Sequence, residues 1–266
     1  MMGFAVLVGA VIGGGSGILG STTYLALAFV TGFAFTGSAM AINDYYDREI
    51  DAINEPQRPI PSGAMTPGEA LAESLVLSAV GFASAWGLGP GNMAIAVVAW
   101  LTMMYYATAG KRTGLLGNFL VSFCVSLPFI YGGVMSGSGG LTGALLFASI
   151  AFLANTGREI TKGIVDVEGD RANNVSTVAV SRGASVAAWG SVACYVSAVV
   201  ISLAPVYLGL VSFWYIPFVA VTDLGLVYIS YSLLKDHSRE NSRRVKNVVR
   251  TLMMCGLVGF LLGNLL

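Results

Sequence analysis

Nine apolar runs, separated by short polar or glycine-rich joints, dictate most of what this chain can fold into. They cover residues 2–19, 21–46, 67–88, 91–109, 116–135, 141–165, 184–204, 208–234 and 246–265. Each is near the ~20 residues that a helix needs to cross the hydrocarbon of a bilayer. Backbone N–H and C=O groups in lipid must be satisfied within the segment, which leaves the α-helix as the solution for such runs. The expectation is an all-α, polytopic membrane protein with nine transmembrane helices in a single domain over residues 1–266. Charge agrees: 11% of residues are charged and 55% hydrophobic, whereas a soluble domain carries about twice that charge.

The joints divide into two classes. Those after the first, third, fifth and seventh runs are small and uncharged, as in Gly13-Gly14-Gly15 and Gly87-Leu88-Gly89-Pro90-Gly91. Those after the even runs hold all 14 basic residues: Arg48, Arg58, Lys111, Arg112, Arg158, Lys162, Arg171, Arg182, Lys235, Arg239, Arg243, Arg244, Lys246 and Arg250. The positive-inside rule makes that side cytoplasmic, with the N-terminus inside and the C-terminus outside. Thirteen of the 14 acidic residues share it, so the chemistry belongs there too. The exception is Asp223, midway along the eighth run. At that depth a carboxylate faces the bundle interior, as part of a cavity or as a hydrogen-bonded packing residue. The apolar start has no basic n-region and so is not read as a signal peptide. Zero net charge points to no nucleic-acid partner, and nothing implies a protein partner. Cys124, Cys194 and Cys255 are scattered singly, as small core residues rather than a disulfide frame. His237, the only histidine, falls in a polar loop.

One stretch interrupts the lipid-soluble pattern: Asn43-Asp44-Tyr45-Tyr46-Asp47-Arg48-Glu49-Ile50-Asp51. On a helix Asn43, Asp44, Asp47 and Asp51 share a face. One amide and three carboxylates repel each other there unless a hard cation such as Mg2+ lies between them. A loop over residues 52–65 follows, stiffened at Arg58-Pro59-Ile60-Pro61-Ser62-Gly63, and holds Arg58 near Asp51. Thr66, Pro67 and Glu69 then start the next helix with a capping box. A second acidic pair, Asp166 and Asp170, ends the sixth run, with Arg158 and Lys162 extending the same every-fourth-residue stripe. Glu159 and Glu168 lie off it. The four-run separation of the two sites suggests duplicated four-helix units. Between them Tyr105-Tyr106-Ala107-Thr108-Ala109-Gly110-Lys111-Arg112 ends the fourth run. Lys111 and Arg112 serve as topogenic charge and are also placed to meet phosphate.

These motifs together resemble the UbiA superfamily of intramembrane prenyltransferases. Arg158-Glu159-Ile160-Thr161-Lys162, Asp166-Val167-Glu168-Gly169-Asp170-Arg171-Ala172 and Lys111-Arg112-Thr113-Gly114-Leu115-Leu116-Gly117-Asn118 look most like its archaeal branch, the digeranylgeranylglyceryl phosphate synthases. The resemblance implies a helical bundle around a central cavity open sideways to lipid. It implies two Mg2+ ions holding an isoprenyl diphosphate between the two aspartate motifs. Asn43, Asp44, Asp47, Asp51, Asp166 and Asp170 then become metal-site candidates, with the last four of the aspartates (Asp47, Asp51, Asp166 and Asp170) named as catalytic. Arg58, Tyr106, Lys111 and Lys162 become diphosphate contacts, with Arg112 and Arg158 as further substrate-binding candidates. Two departures stand out. The family's basic Arg-Pro-x-Asn element on the first helix has no counterpart after Met1-Met2-Gly3-Phe4, so either the start is misassigned or one contact is missing. Ser176-Thr177-Val178-Ala179 stands where Lys-Thr-Leu-Pro is common, which removes a cation.

The expected reaction is transfer of a geranylgeranyl group from geranylgeranyl diphosphate to geranylgeranylglyceryl phosphate in the cell membrane, with the site facing the cytoplasm. Metal and Lys/Arg charge would stabilise the leaving diphosphate, and an apolar cavity would keep water from the allylic cation. The diphosphate or a motif aspartate would take the acceptor's proton. One rival keeps the chemistry with an aromatic, quinone-precursor, haem or chlorophyll acceptor. A secondary transporter would need midplane charges in broken helices, where only Asp223 qualifies. A soluble aspartate-rich prenyl synthase is excluded by the nine runs.

Overall fold

The computed structural model describes residues 2–137, 140–172 and 175–266, with every side chain among them except that of Asn54. Among the described residues there are twelve α-helices, two 3-10 segments and no strand. The helices are α1 (Met2–Gly14), α2 (Thr22–Asn54), α3 (Pro67–Trp86), α4 (Pro90–Thr108), α5 (Leu115–Met135), α6 (Leu141–Val165), α7 (Val167–Ala172), α8 (Val178–Arg182), α9 (Ala184–Ser202), α10 (Ala204–Tyr207), α11 (Tyr215–Lys235) and α12 (Arg239–Leu265). The 3-10 segments are Gly15–Gly20 and Gly110–Thr113. The largest differences from the sequence expectation lie at four boundaries. α1 ends at Gly14 rather than 19, α2 continues past residue 46, α11 begins at Tyr215 rather than 208, and α12 begins at Arg239 rather than 246. At α2 and α12 the charged residues extend the helix beyond the apolar run.

Among the described residues six stretches, rather than nine, are long and apolar enough to cross a membrane: Met2–Gly20, Thr22–Ile53, Leu115–Met135, Ala184–Tyr207, Tyr215–Lys235 and Arg239–Leu265. The shortfall falls on α3, α4 and α6, which carry polar side chains. Hydropathy counts each of those as a polar group in lipid, but the fold gives them partners. Ser38 of α2 pairs with Ser74 Oγ (2.9 Å) and Ser78 Oγ (2.8 Å) of α3, and Trp100 Nε1 of α4 donates to Ser78 Oγ at 2.9 Å. Asn92 of α4 donates to the Tyr131 carbonyl of α5 at 2.8 Å, and Asn155 of α6 to Ser122 Oγ at 3.1 Å. Such interhelical bonds hold bundles together where lipid removes the hydrophobic drive between helices.

Close backbone approach supplies the other half of the packing. A Cβ on Gly9 of α1 would lie 2.7 Å from the Phe129 carbonyl oxygen of α5, and one on Gly132 would run into Ala10. Small residues therefore set the α1–α5 contact. Phe147, Tyr215 and Phe260 close the end opposite the cations, with the Phe147 and Phe260 ring centroids 4.3 Å apart. Large apolar side chains such as Phe33, Leu75, Trp189, Leu224 and Tyr231 are exposed on the flanks. In water they would be costly, but toward lipid they are the expected surface. Adjoining apolar cavities lie in the interior. The larger, about 260 Å3, lies among α1, α2, α4 and α5. The smaller, about 110 Å3, lies among α1, α5, α6, α9, α11 and α12, and Met2 and Val125 line both.

Candidate active site

The first acidic motif sits on unbroken helix, so Asn43, Asp47 and Asp51 do share one face of α2. Two cations reach that face. Arg58 donates from one guanidinium nitrogen to Asp44 Oδ1 at 3.1 Å and Asp51 Oδ2 at 3.0 Å. Lys111 pairs with Asp47 through Nζ and Oδ1. Arg58 is placed by a compact loop, in which Arg58 N donates to Glu55 O (2.9 Å), Ser62 N to Arg58 O (2.9 Å) and Met65 N to Pro59 O (3.0 Å). The expected capping box closes the loop, with Thr66 N to Glu69 Oε2 at 2.7 Å and Glu69 N to Thr66 Oγ1 at 3.2 Å. Asp51 is buried and Asp44 and Asp47 are partly so, which strengthens these pairs relative to surface ones.

Asn43 and Tyr106 line the larger cavity at its end nearest these carboxylates. Asn43 Oδ1 is buried and accepts no hydrogen bond among the described residues. A buried amide oxygen without a partner is costly and calls for a ligand.

The second motif is built differently. α6 stops at Val165, and Asp166 forms the joint to α7 with φ −100° and ψ 10°. The stripe survives the break, since Asp166 N donates to Lys162 O (3.0 Å) and Asp170 N to Asp166 O (2.8 Å). The Asp170 carboxyl is pushed up to about 6, chiefly by burial, then by the charge of Asp166, against the pull of Lys162 and the Thr177 hydroxyl. Thr177 also caps α8, accepting from Val180 N at 3.3 Å. Arg158 does not meet an aspartate: it pairs with Glu159 at 2.5 Å, and its Nε is buried without a partner among the described residues. Lys162 is exposed and makes no ion pair among the described residues, and Arg112 is likewise exposed.

Gly114 ties the two motifs together. Its φ of +64° and its contact with the Ser176 carbonyl leave no room for a Cβ, so the Lys111–Arg112 turn packs on the loop after Asp170. Three cations near the second motif, Arg239, Arg243 and Lys246, belong to the surplus of six around the joint after the eighth run and were not named individually as substrate-binding residues. Arg239 Nε donates to Val165 O at 3.1 Å, and Lys246 lies among the charges of Asp166, Lys162, Arg158 and Arg243. The signal for them was the spacing 239, 243, 246 and 250, which is one face of a helix.

Among the described residues no three His, Cys, Asp or Glu side chains converge as a ready metal cage. The six expected ligands are instead divided between two helix ends. Their donors are all oxygen, and the orphaned Asn43 oxygen adds a neutral one. This set fits a hard cation whose coordination is completed by phosphate and water.

The family described as UbiA prenyltransferase matches residues 2–263. The chain is 34% identical to digeranylgeranylglyceryl phosphate synthase of Methanothermobacter thermautotrophicus over 90% of this chain and 84% of the relative. It is 37% identical to the synthase of that name from Korarchaeum cryptofilum, over 84% and 79% respectively. A solved structure of digeranylgeranylglyceryl phosphate synthase superposes with a TM-score of 0.84 at 28% identity, covering 99% of this chain and 92% of that one. A UbiA homologue from Archaeoglobus fulgidus, solved with GPP and Mg2+, shares the fold with a TM-score of 0.66 at 14% identity, covering 97% and 95%. The chain belongs to the UbiA prenyltransferase family.

Proposed function

We propose that this protein transfers a geranylgeranyl group from geranylgeranyl diphosphate to geranylgeranylglyceryl phosphate. One observation carries the transferase reading: the first aspartate motif, with its attendant Arg58 and Lys111, meets the end of an apolar cavity at Asn43 and Tyr106. An isoprenyl tail suits the cavity and its diphosphate suits the charged end. The acceptor follows from the relatives, which carry the name of the synthase for this product.

Asn43, Asp44, Asp47 and Asp51 on one side, and Asp166 and Asp170 on the other, would hold Mg2+, as two ions. Bound Mg2+ supplies charge that stabilises the departing diphosphate. Arg58, Lys111 and Arg112 orient its phosphates from the α2 and α4 side, Arg158 and Lys162 bring further positive charge for substrate phosphate from α6, and Tyr106 adds a hydroxyl at the cavity end. The apolar walls keep water away from the allylic carbon. We place all nine long helices across the membrane. α3, for example, runs from Glu69 on the cation side to an exposed Trp86 at the far end, where aromatic side chains anchor to the interface. The cation side is cytoplasmic. A reporter fused near His237 should read inside and one after Leu266 outside, and finding both on one side would break this arrangement.

The test of the reaction is acceptor competition with purified enzyme and labelled geranylgeranyl diphosphate. Geranylgeranylglyceryl phosphate should be prenylated in preference to 4-hydroxybenzoate or a naphthoate. The reverse preference would overturn the acceptor and leave a metal-dependent prenyltransferase standing.

A further inference from the structure

We propose that Lys246 and Arg243 of α12, together with Lys162 and Arg158 of α6, form the binding site for the acceptor's phosphomonoester headgroup. This inference rests on the reaction proposed above and adds the site that distinguishes a phosphorylated acceptor from a neutral one.

The placement comes from two helices. Arg239, Arg243, Lys246 and Arg250 lie four, three and four residues apart along α12, so they form one stripe. The bond from Arg239 Nε to the Val165 carbonyl, at 3.1 Å, fixes the start of that stripe against the end of α6. Two turns inward the half-buried Lys246 lies in the field of four charged groups: Asp166, Lys162, Arg158 and Arg243. Three of the four are cations, and neither Lys246 nor Lys162 forms an ion pair among the described residues. Partly burying a cation among cations is unfavourable unless an anion joins them. Arg158 adds a second, independent sign: its Nε is buried and has no acceptor among the described residues. A phosphate monoester carries up to two negative charges and three acceptor oxygens, which matches a site of several donors and surplus positive charge.

The donor does not account for this cluster. Its diphosphate has Arg58 and Lys111 on the α2 and α4 side of the site, and the metal-binding oxygens between. Bulk anionic lipid does not account for Lys246 and Arg158 either, because both are partly buried, whereas Arg244 and Arg250 are exposed and available to headgroups. The acceptor hydroxyl must reach the prenyl carbon, so its phosphate must lie within a few bonds of the metal site. The α12 stripe provides for that.

The experiment uses the full-length enzyme in a neutral detergent, with geranylgeranyl diphosphate as donor. Acceptors are geranylgeranylglyceryl phosphate and its phosphate-free alcohol. Loss of one charge-assisted contact predicts that Lys246→Gln raises the acceptor KM by about 10-fold or more. The donor KM should stay within about twofold, and Lys246→Arg should restore most of the loss. Wild type should prefer the phosphorylated acceptor, and Lys246→Gln should shrink that preference by the same factor. Arg243→Gln, at an exposed position that folding tolerates, should act in the same direction with a smaller effect. An equal rise in the donor KM would reassign the cluster to the diphosphate and overturn the proposal. So would an unchanged acceptor KM in both variants, or a defect seen only in vesicles containing anionic lipid. If wild type prenylates another acceptor and ignores the glyceryl phosphate, the reaction proposed above fails and takes this site with it. If wild type uses it and the variants behave as wild type, this inference alone fails.

Discussion

The two halves of the site solve the same electrostatic problem in opposite ways. On α2 each of the three aspartates already has a cation in the protein, Asp44 and Asp51 sharing Arg58 and Asp47 pairing with Lys111, on partly buried helix. At the α6–α7 joint the aspartates have no cation at ion-pair distance among the described residues, while Lys162 and Lys246 stand nearby without a carboxylate. The first half is therefore stable without ligand but must give up ion pairs to bind a metal. The second half gives up little, and it depends on ligand to complete its charge balance. The difference suggests that the α6–α7 half admits charged ligands first and that the α2 half locks them.

Both halves must supply metal ligands if this comparison is correct, and removing one from either gives the largest effect. Asp47→Ala and Asp166→Ala should each lower transfer by more than ~100-fold, since even indirect supports of metal ligands are worth 10–100-fold. Both should elute as folded protein, because alanine is compatible with the helix at Asp47 and Asp166 lies at the joint after α6. Excess EDTA should abolish wild-type turnover. Transfer within threefold of wild type in either variant would remove that half from the metal site.

Stability without ligand separates the halves next. Arg58→Ala leaves Asp44 and the buried Asp51 facing each other with no cation between. The cost should be about 1–2 kcal/mol, a loss of a few degrees in melting temperature in metal-free detergent. Adding Mg2+ should recover more in this variant than in wild type. Lys162→Ala should cost almost nothing in the same assay, having no ion pair to lose. Equal losses in the two variants would erase the contrast.

The pH response sharpens it further. Asp170 is raised to about 6 from an ordinary value of 3.8, so between those values the folded protein binds the extra proton. Its contribution therefore favours folding at low pH and is lost as pH rises through about 6. In metal-free protein this component of the melting temperature should fall across that window, and Asp170→Asn should flatten it. Mg2+ requires the ionised form, so its stabilising effect should weaken below about pH 6 in wild type. A metal-free melting profile that is the same in wild type and Asp170→Asn would show that Asp170 is not the titrating group.

How much of this was legible in the chain depended on whether the cause was local. The long helices follow from the apolar runs, and Arg58 beside Asp51 follows from a short proline-stiffened loop. The Thr66–Glu69 box follows from residue spacing alone. Three features were out of reach because their cause is tertiary. Hydropathy could not know that Ser74, Asn92 and Asn155 find partners on neighbouring helices. Spacing put Arg158 on the aspartate stripe, yet Glu159 at its side captures it once the helix packs. The α12 cations were visible as a surplus, but only the docking of Arg239 on Val165 assigns them to the second motif.

The smallest effect tests whether the comparison extends into the cavities. The larger cavity adjoins the α2 half and reaches Asn43 of the first motif, while the smaller lies toward α6, α9, α11 and α12 and has one ionisable wall residue, Asp223. The sequence left Asp223 between a cavity role and a packing role, and the structure gives it features of both. It lines the smaller cavity and accepts a hydrogen bond from Ser202 Oγ at 2.7 Å, while Tyr215 donates to the Ser202 carbonyl at 2.9 Å. Asn in its place keeps an oxygen for Ser202 and a similar volume. Asp223→Asn should therefore shift the melting temperature by no more than about 2 °C, since the hydrogen bond from Ser202, worth about 1 kcal/mol, is kept. If an isoprenoid chain occupies this cavity, the same variant should change KM for donor or acceptor by about 2- to 5-fold, because the cavity wall changes its polarity by less than 1 kcal/mol. A shift in KM for the acceptor alone would give each half of the bundle its own lipid chain. A change in melting temperature with both KM values untouched would make Asp223 a packing residue and confine the comparison to the charged end.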